Sequence, residues 1–553
     1  MVLIPQTTSA PTPLRAPWLW ILLPGLAGYW AADAVPSADI ELLVVAGLAS
    51  GVLAWTASVR LAWELAWAPT FVTAVGCLAA AQFLLVEGVR KPATGLLTLP
   101  PRELDLKVEV VRLFESEESD STKGIGSVLQ APLVRKDLVG KRLYFRLKKN
   151  AEKDFLLRGA VFSARGVLYP VTGKSSPGFD EFLASKGVHY HYLRGIVLHR
   201  EAEAPTWIRL CRRWNEELEK TLLAGAEDED ETRANLLVAM LLGKKSAIPA
   251  ERKNQFVVAG AMHLFAISGL HVGIVAALLV FLLLFLPGPK WVETWVLLVL
   301  LFVYVEVTGG APSAHRAFVM IAFWRGAHHL GRKGGAFPAL VAAAVFTLAW
   351  DPRQLWDRGF QLSYSVVASI ILFGGPLSEK LQAWLRPWPS LTDEELVAWR
   401  KAATLSARWF ANGLGISISA TLAGAPLTVD AFGVFSPGGI FLNVFLVLMA
   451  MGAIWLGVIG LPFSAWGIDF IHEAAWWVVS CMDGLVAVGI CVPGLFFHAS
   501  CPASWLPEFT VSAYLAICLL SARRLRNGHG ARLLPAPLVL VFFIAFGCRL
   551  SLI

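Results

Sequence analysis

The stretch His263–Gly273, HLFAISGLHVG, places two histidines, a serine and two glycines at the start of an apolar run that extends to Pro287. Histidine can bind a metal, and a serine beside a histidine can act as a nucleophile next to its general base. His263 and His271 are eight residues apart, so on a continuous helix they lie two turns and about 80° from each other. This spacing does not give the i, i+4 histidine pair that binds zinc on one helix face.

Ser268 and His271 are three residues apart and can touch on a helix. The surrounding AISGL lacks the GxSxG spacing of a nucleophile elbow, so the pair is a weak candidate for covalent chemistry. Polar groups at membrane depth must face protein or water, and Gly269 and Gly273 allow a neighbouring helix to approach or the segment to break. The stretch predicts a polar, closely packed or interrupted helix start that lines an interior cavity. A hydrogen-bonded helix contact without a cavity is the alternative.

Three later apolar segments also contain polar residues where a helix is expected to begin: TGGAPSAHRAFVM (308–320), WDRGFQLSYSVV (356–367) and GAPLTVDAFGVFSPGGIFLNVFLV (424–447). Such discontinuous starts occur where backbone lines a water-accessible path, but a large bundle with polar helix contacts shows them too. The residues that we select as pore-lining or gating candidates are His263, Ser268, Gly269, His271, Gly273, His315, Arg316, Asp357, Arg358, Gln361, Asp430 and Asn443.

Composition indicates an integral membrane protein. The 553 residues are 56% hydrophobic and 16% charged, with a mean hydropathy of +0.59. A helix of about 20 apolar residues crosses the hydrocarbon core, and the sequence predicts a polytopic α-helical protein with about 11–13 transmembrane helices. The predicted spans are 17–35, 40–59, 68–88, 264–287, 291–308, 314–324, 336–350, 360–375, 408–424, 437–461, 470–492, 509–521 and 533–552.

The net charge of +7 is consistent with lysine and arginine concentrated in short cytoplasmic loops, and so does not by itself imply a nucleic-acid surface. The basic segments 325–335, 386–408 and 523–532 are therefore expected inside the cell. Cys491 and Cys501 flank a loop that this topology places outside, where a disulfide can persist; two unpaired thiols are the alternative. No cysteine or histidine spacing suggests a zinc site, and we expect no metal and no cofactor.

Four regions follow from the pattern: amino-terminal transmembrane helices over 1–99, a small β domain over 100–204, amphipathic interfacial helices over 205–262, and a transmembrane domain over 263–553. In ELDLKVEVVRLF (103–114) apolar and charged residues alternate, which is typical of a half-buried strand. KRLYFRLKK (141–149) and AVFSARGVLYPV (160–171) show the same pattern. About five short strands favour a small barrel or sandwich.

The segment LLGKKSAIPAERKNQFVVAGAMHLFAISGLHVGIVAALL (241–279) closely resembles the signature of the ComEC family of bacterial competence membrane proteins. GGAPSAHRAFVM, DPRQLWDRGFQLSYSVV and DAFGVFSPGGIFLNVFLV resemble the later motifs of that family in the same order. GFDEFLASKGVHYHYLRG (178–195) resembles the end of its extracytoplasmic domain, which has an OB-like fold. Many members also carry a metallo-β-lactamase-like domain, thought to be a nuclease. This chain contains no HxHxDH-type motif and ends at Ile553, so we expect no hydrolase activity in it.

The resemblance implies a multi-pass protein of the bacterial inner membrane that passes single-stranded DNA inward during natural transformation. It implies a DNA receptor outside, a cytoplasmic motor and a separate nuclease as partners, besides membrane lipids and further copies of the chain. In the OB-like domain the candidates for DNA contact are Lys141, Arg142, Tyr144, Arg146 and Lys148, since basic and aromatic residues alternate there. The alternatives are a transporter of another solute on the same scaffold, a membrane enzyme using Ser268 and His271, and a scaffold that anchors partners.

Overall fold

The computed structural model describes residues 16–59, 64–90, 102–114, 121–148, 156–171, 177–226, 231–244, 246, 248–285, 288–330, 335–390, 397–464, 466–501, 503, 505–526 and 535–552. Contacts between residues divide the chain into two compact units. The barrel unit contains Pro17–Trp214 and Ala344–Asp357, and the helical unit contains Asn215–Ala343 and Arg358–Ile553. Parts of the three basic segments predicted to face the cytoplasm, 331–334, 391–396 and 527–532, lie outside the described residues.

The barrel unit begins with three apolar helices, α1 (Leu19–Ala34), α2 (Ile40–Val59) and α3 (Glu64–Arg90). Helices α1 and α3 approach each other closely at Gly28 and Gly76. A Cβ atom at Gly28 would lie 2.1 Å from the carbonyl oxygen of Gly76, well inside van der Waals contact. This contact therefore requires glycine at position 28, a small-residue helix contact of the kind common in membranes.

Five strands form a closed barrel in the order β1-β2-β3-β5-β4, in which β3 and β5 are parallel and the other pairs antiparallel. A short helix, α4, lies between β4 and β5. The elements are β1 (Arg102–Phe114), β2 (Ser121–Gln130), β3 (Arg142–Lys148), β4 (Val161–Pro170), α4 (Pro177–Ser185) and β5 (Val188–Ala202).

Alternation of apolar residues forms the barrel core. Leu106, Val108 and Val110 of β1 are buried on one face, as the pattern predicted. On β2 the inward positions include glycines, and a Cβ atom at Gly126 would lie 2.2 Å from a methyl group of Val108. The buried Tyr192 of β5 donates its hydroxyl to the carbonyl of Ala164 at 2.6 Å, and burial raises the pKa of this phenol.

The helical unit contains the second half of α5, the first part of α11 up to Ala343, and the other helices that follow. Their bounds are α5 (Thr206–Leu223), α6 (Glu231–Leu242), α7 (Ala250–Val258), α8 (Gly269–Leu283), α9 (Lys290–Val307), α10 (Pro312–His329), α11 (Ala336–Trp350), α12 (Arg358–Ser369), α13 (Gly375–Trp384), α14 (Ala398–Phe432), α15 (Gly439–Ser464), α16 (Phe470–Ile490), α17 (Leu506–Arg526) and α18 (Pro535–Gly547). A π-helical turn, Ile370–Gly374, joins α12 to α13 without interrupting the helix.

Every apolar segment predicted as a span contains a helix, and the chain is a helical membrane protein. Among the described residues, five helices are long and apolar enough to cross a membrane: Ala68–Gly88, Arg358–Trp384, Ala398–Phe432, Gly439–Ser464 and Phe470–Ile490. Shorter apolar helices are Ile40–Thr56, Gly269–Leu283, Ala336–Trp350 and Leu506–Ala522. The total of 11–13 spans stays a prediction.

The segment 205–262 differs in part from the interfacial helices expected there. Helix α5 is amphipathic, with Cys211 and Asn215 buried and Arg212 and Arg213 exposed. Helix α6 is not, since every residue from Leu236 to Leu242 is buried in the core of the helical unit. Its apolar residues surround the whole helix rather than one stripe, which is the pattern of a buried helix.

A three-stranded antiparallel sheet, β6 (Val434–Phe435), β7 (Phe497–Ser500) and β8 (Arg549–Leu552), joins the ends of three helices. β6 follows α14, β7 follows α16, and β8 follows α18. Gly433, with φ of +67°, ends α14 in the left-handed conformation that glycine adopts without strain and turns the chain into β6. The carboxyl ends of α14, α16 and α18 therefore lie at one end of the bundle, which we call the sheet end.

Gly28→Ala is expected to push α1 away from α3 and to lower the free energy of unfolding by about 1–3 kcal/mol, the usual effect of overpacking. Gly25→Ala in the same helix is the control, because a Cβ atom at Gly25 has no neighbouring atom within 4 Å. Thermal unfolding of the full chain in detergent measures the difference. Equal midpoints for the two variants would contradict the close approach.

Candidate functional site

Helix α8 begins at Gly269, one residue after Ser268, so the apolar run is interrupted as the sequence predicted. Ser268 is the N-cap residue, and its hydroxyl oxygen accepts a hydrogen bond from the backbone N–H of Leu270 at 3.2 Å. This bond satisfies one of the backbone donors that a helix start leaves unpaired. Ser268, which the sequence offered as a candidate nucleophile, therefore has a structural role as the cap of α8.

The expected contact between Ser268 and His271 is present, with 3.1 Å between Oγ and Nδ1. Nε2 of His271 lies 2.9 Å from the carbonyl oxygen of Leu264, which can only accept, so the proton of the neutral ring belongs on Nε2. Nδ1 then accepts from the hydroxyl of Ser268. The ring is fully buried, with 0% of its surface exposed. His271 thus ties the start of α8 to the turn that precedes it.

The structure gives few contacts to three of the candidates in this stretch: His263, Gly269 and Gly273. His263 lies on a separate short 3-10 turn, Met262–Leu264, where its Nδ1 is 3.1 Å from the carbonyl oxygen of Gly260. A Cβ atom at Gly269 would meet Ala317 at an ordinary 3.5 Å, and one at Gly273 would have no neighbour within 4 Å. Of the two roles considered for these glycines, a close helix approach is not seen at either, and the segment breaks directly before Gly269.

The TGGAPS stretch forms the turn between α9 and α10. Gly309 and Gly310 have φ values of +93° and +63°, which explains the two successive glycines. Ser313 then donates to the carbonyl of Ile267 at 2.6 Å and so joins the start of α10 to the start of α8. Nε2 of His315 lies 3.1 Å from Oε1 of the buried Glu306 in the last turn of α9.

Arg316 connects α10 to α12. Its side chain is only 5% exposed, and Nη2 donates to the carbonyl of Gly359 at 2.7 Å. That carbonyl lies in the first turn of α12, directly after Arg358. The two arginines that the sequence selected therefore meet at the same helix start.

Arg358 bridges three helices. Its Nη2 lies 2.7 Å from Asp430 at the end of α14, and its Nη1 lies 2.6 Å from Glu508 at the start of α17. Gln361 completes the group, since its amide oxygen accepts from Arg358 at 3.0 Å and its amide nitrogen donates to Glu508 at 3.2 Å. One guanidinium thus faces two carboxylates, and charge-assisted bonds of this kind are among the stronger hydrogen bonds in proteins.

These contacts define what we call the polar junction: Ser268, His271, Glu306, Ser313, His315, Arg316, Arg358, Gln361, Asp430 and Glu508. Its arginines contact carboxylates or a carbonyl oxygen, so the junction is not simply a row of positive charge directed at a polyanion. The contact with Asp430, close before β6, places Arg358 near the sheet end of the bundle. The arrangement can hold helix starts together and can open if its bonds exchange.

Sequence reasoning missed Glu306, Ser313 as a linker, and Glu508. An acidic residue at the far end of an apolar run was the signal for Glu306, because such residues are rare at membrane depth without a partner. Asp430 was expected near a helix start, but α14 continues through Pro426, and Asp430 lies in its last turn. Asn443 lies one turn into α15, and its buried Oδ1 has no hydrogen-bond partner in the described part of the chain.

Asp357, a pore-lining candidate from the sequence, forms an ion pair within the barrel unit. It follows a short 3-10 turn in the barrel unit, and its carboxylate lies 2.6 Å from Nζ of Lys186, which follows α4. The adjacent Arg358 begins α12 in the helical unit. Asp357 and Arg358 are adjacent in sequence and opposite in charge, yet they form ion pairs with different residues.

On the barrel, the DNA-contact candidates divide into two groups. Tyr144 is 8% exposed and packs edge-on against Phe179 of α4 at 5.2 Å and against His191 at 5.5 Å, so its ring cannot stack on a base. Arg142 donates to the carbonyl of Lys186 at 3.1 Å, close to the end of α4. The expectation that Tyr144 forms a stacking surface is wrong because α4 covers it.

Arg146 and Lys148 lie farther along the same strand and are exposed, while Lys141, just before it, is half-buried. Lys123 of β2 is the register partner of Arg146, so cations lie side by side on the outer face of β2 and β3. Another exposed cation of the barrel, Arg165, belongs to an ion pair. Arg165 donates to both carboxylate oxygens of Asp105 at 2.7 and 2.8 Å and holds the pKa of that carboxyl below its usual value.

All seven cysteines are described and are free thiols. The disulfide predicted between Cys491 and Cys501 is not formed. Cys491 ends α16 and its thiol donates back to the carbonyl of Ala487 at 3.2 Å, while Cys501 continues from β7 and donates to Ala503 at 3.4 Å. Within the part of the chain that the structure describes, no group of three His, Cys, Asp or Glu residues is arranged to hold a metal ion.

Comparison with known proteins identifies the helical unit. Residues 240–551, more than half of the chain, match the family described as Competence protein, and this range includes the polar junction and excludes the barrel. The chain is 28% identical over 238 residues to ComE operon protein 3 of Bacillus subtilis (strain 168), a match that covers 41% of this chain and 30% of the relative. It is 28% identical over 224 residues to Competence protein ComA of Neisseria gonorrhoeae, covering 39% and 30%.

An uncharacterized protein of Escherichia coli (strain K12), YcaI, is 29% identical over 146 residues, which cover 25% of this chain and 19% of that protein. The chain thus matches less than a third of the length of each of these relatives. No solved structure matches it. The motifs of the helical unit and the match over 240–551 agree, and the chain belongs to the competence protein family, of the ComEC type.

Proposed function

We propose that the chain is a channel that passes single-stranded DNA across the bacterial inner membrane during natural transformation. Family membership and the names of two relatives, a ComE operon protein and a competence protein, support a role in DNA uptake. The observation that carries the proposal furthest is Arg358, which bridges α12, α14 and α17 inside the matched range. A DNA receptor outside, a cytoplasmic motor and a separate nuclease act with the channel in this proposal.

The polar junction serves as gate support. Arg358 joins α12 to the end of α14 and the start of α17 through charge-assisted bonds. Phosphates of a passing strand compete with Asp430 and Glu508 for the same donors. A conduit for a polyanion needs donors that release it again, and a guanidinium shared with Asp430 and Glu508 meets that need better than an unpaired cation would.

The charge distribution supports an orientation for the helical unit. Arg400, Lys401 and Arg408 lie in the first turns of α14, and Arg523 and Arg524 lie in the last turns of α17, both opposite the sheet end. Positive residues concentrate on the cytoplasmic side of bacterial membranes. The sheet end therefore faces outward in this proposal.

The five-stranded barrel is OB-like and extracytoplasmic in this proposal. Its closed order, with β3 parallel to β5, is that of a small Greek-key barrel, and such barrels bind single strands on the face of β2 and β3. Arg146, Lys148 and Lys123 lie on that face. The barrel supplies a basic contact for the strand, without the aromatic stacking that Tyr144 was expected to add.

Arg358→Gln is expected to lower the transformation frequency about tenfold or more at normal protein abundance. Two carboxylates then lose their shared donor, a loss of about 1–3 kcal/mol. The measurement is uptake of a selectable marker in a transformable host that carries the variant in place of its own family member. Adding Glu508→Gln is expected to recover part of the loss, because the two residues are coupled.

Arg325→Gln is the matched control for this variant. Arg325 forms a similar half-buried ion pair with Glu293 at 2.6 Å, between α10 and α9, outside the polar junction. It should leave uptake within about twofold of wild type, because the pair lies outside the polar junction. An Arg358 variant with normal uptake, or an Arg325 variant that fails equally at normal abundance, would refute the role of the junction.

The double change Arg146→Ala and Lys148→Ala is expected to weaken binding of an oligothymidine by the purified full chain. For single strands each lost phosphate contact lowers the slope of log affinity against log salt by about 0.7, so the pair lowers it by about 1.4. Fluorescence anisotropy over a salt series measures this. Lys107→Ala is the control, because Lys107 pairs with Glu201 at 2.9 Å, and an equal change there would contradict a specific face.

The contact between Ser268 and His271 keeps an enzyme as a second candidate. Ser268→Asn separates the two functions, since asparagine caps a helix as well as serine but is no nucleophile. We expect Ser268→Asn to retain uptake, and Ser268→Ala to lower protein abundance through a cap loss of about 1 kcal/mol. An abundant Ser268→Asn protein without activity would favour the enzyme instead.

A further inference from the structure

We propose that Cys501 and Cys548 are a disulfide site that closes the open end of the three-stranded sheet. The inference rests on the outward orientation of the sheet end given under the proposed function. This pair differs from Cys491 and Cys501, the pair that the sequence suggested. It gives a role to Cys548, which has none in the proposed function.

The strand register places the two cysteines opposite each other. β7 and β8 are antiparallel, with Phe497 opposite Leu552 and Ser500 opposite Arg549. Cys501 directly follows β7, and Cys548 directly precedes β8. Continuing the same register by one pair therefore places Cys501 opposite Cys548. Directly opposed residues in an antiparallel pair have Cα atoms about 4.5–5.5 Å apart, which lies within the range of about 4.4–6.8 Å that a disulfide spans.

The two thiols are also accessible. Both side chains are half-buried rather than enclosed, so a reagent can reach them. Cys491, by contrast, is exposed at the end of α16 and has no position in this strand register.

The oxidation is a two-step thiol–disulfide exchange with a disulfide-bearing oxidoreductase of the extracytoplasmic compartment. The thiolate of one cysteine attacks a sulfur of the donor disulfide and forms a mixed disulfide while the other donor sulfur leaves as a thiol. The second cysteine then attacks the protein sulfur of the mixed disulfide. Cys501 and Cys548 lose two electrons and two protons, and the donor disulfide gains them as two thiols.

The disulfide would link β8 to β7 covalently. Because β8 follows α18 and β7 follows α16, it would also tie the ends of these two helices together. Only four residue pairs are in register between these strands, and strands of this length are weak on their own. A crosslink at the open end would hold the register against fraying.

The experiment counts thiols in the full chain isolated from a bacterial inner membrane. The protein is denatured, and a polyethylene-glycol maleimide then adds one mobility step per free thiol, with and without prior reduction. Of the seven cysteines, we expect the wild type to show two more modified thiols after reduction. Cys548→Ser should show no gain, because its partner is then free in both samples. Cys491→Ser is the matched control and should retain the gain of two.

Full modification of the unreduced wild type would overturn the disulfide. A gain that disappears in Cys491→Ser would also overturn it, in favour of the pair Cys491 and Cys501. Because the count is made on denatured protein, a variant that folds poorly still gives an answer.

A second arm separates the disulfide from the orientation. In a variant with both Cys501→Ser and Cys548→Ser, a membrane-impermeant maleimide added to intact cells should modify the exposed Cys491. Modified Cys491 together with no gain of thiols in the wild type overturns the disulfide alone. Unmodified Cys491 overturns the outward orientation, and the disulfide with it.

Discussion

A hydrogen-bonding group buried among apolar helices is destabilising by several kcal/mol unless it has a partner, and in a membrane water cannot supply one. The helical unit meets this constraint at its helix ends. Ser268 caps α8, Ser313 binds the carbonyl of Ile267, and Arg316 binds the carbonyl of Gly359. Each broken helix start is paired with another, so the interruptions of the backbone are also the joints of the bundle.

The same constraint explains which parts of the site the sequence could predict. A polar residue at the edge of an apolar run is visible in one dimension, and Ser268, His271, Arg316 and Arg358 were found in this way. Their partners were harder to find, because Glu306 and Glu508 belong to other helices and only the packing brings them near. Glycines misled for a related reason: Gly273 looks like a contact residue, but only the structure shows the open space beside it.

The barrel shows where periodicity is sufficient and where it fails. Strict alternation predicted β1, since every second residue faces the core. β2 was not predicted, because two of its inward positions are Gly124 and Gly126, which leave no apolar signal although they make room for Phe145 and Val108. Tyr144 has the right type and spacing for stacking on a base, yet α4 lies over it, and a strand pattern holds no information on what covers its outer face.

The small sheet has a mechanical consequence. Because side chains on a strand alternate with a period of two, α14, α16 and α18 cannot slide past one another by a single residue without exchanging the faces of β6, β7 and β8. These helices form a fixed frame. Helices α8, α10 and α12 end in no strand of this sheet and are joined by side-chain bonds that can exchange. Any widening of the bundle would therefore displace α8, α10 and α12 relative to the frame of α14, α16 and α18.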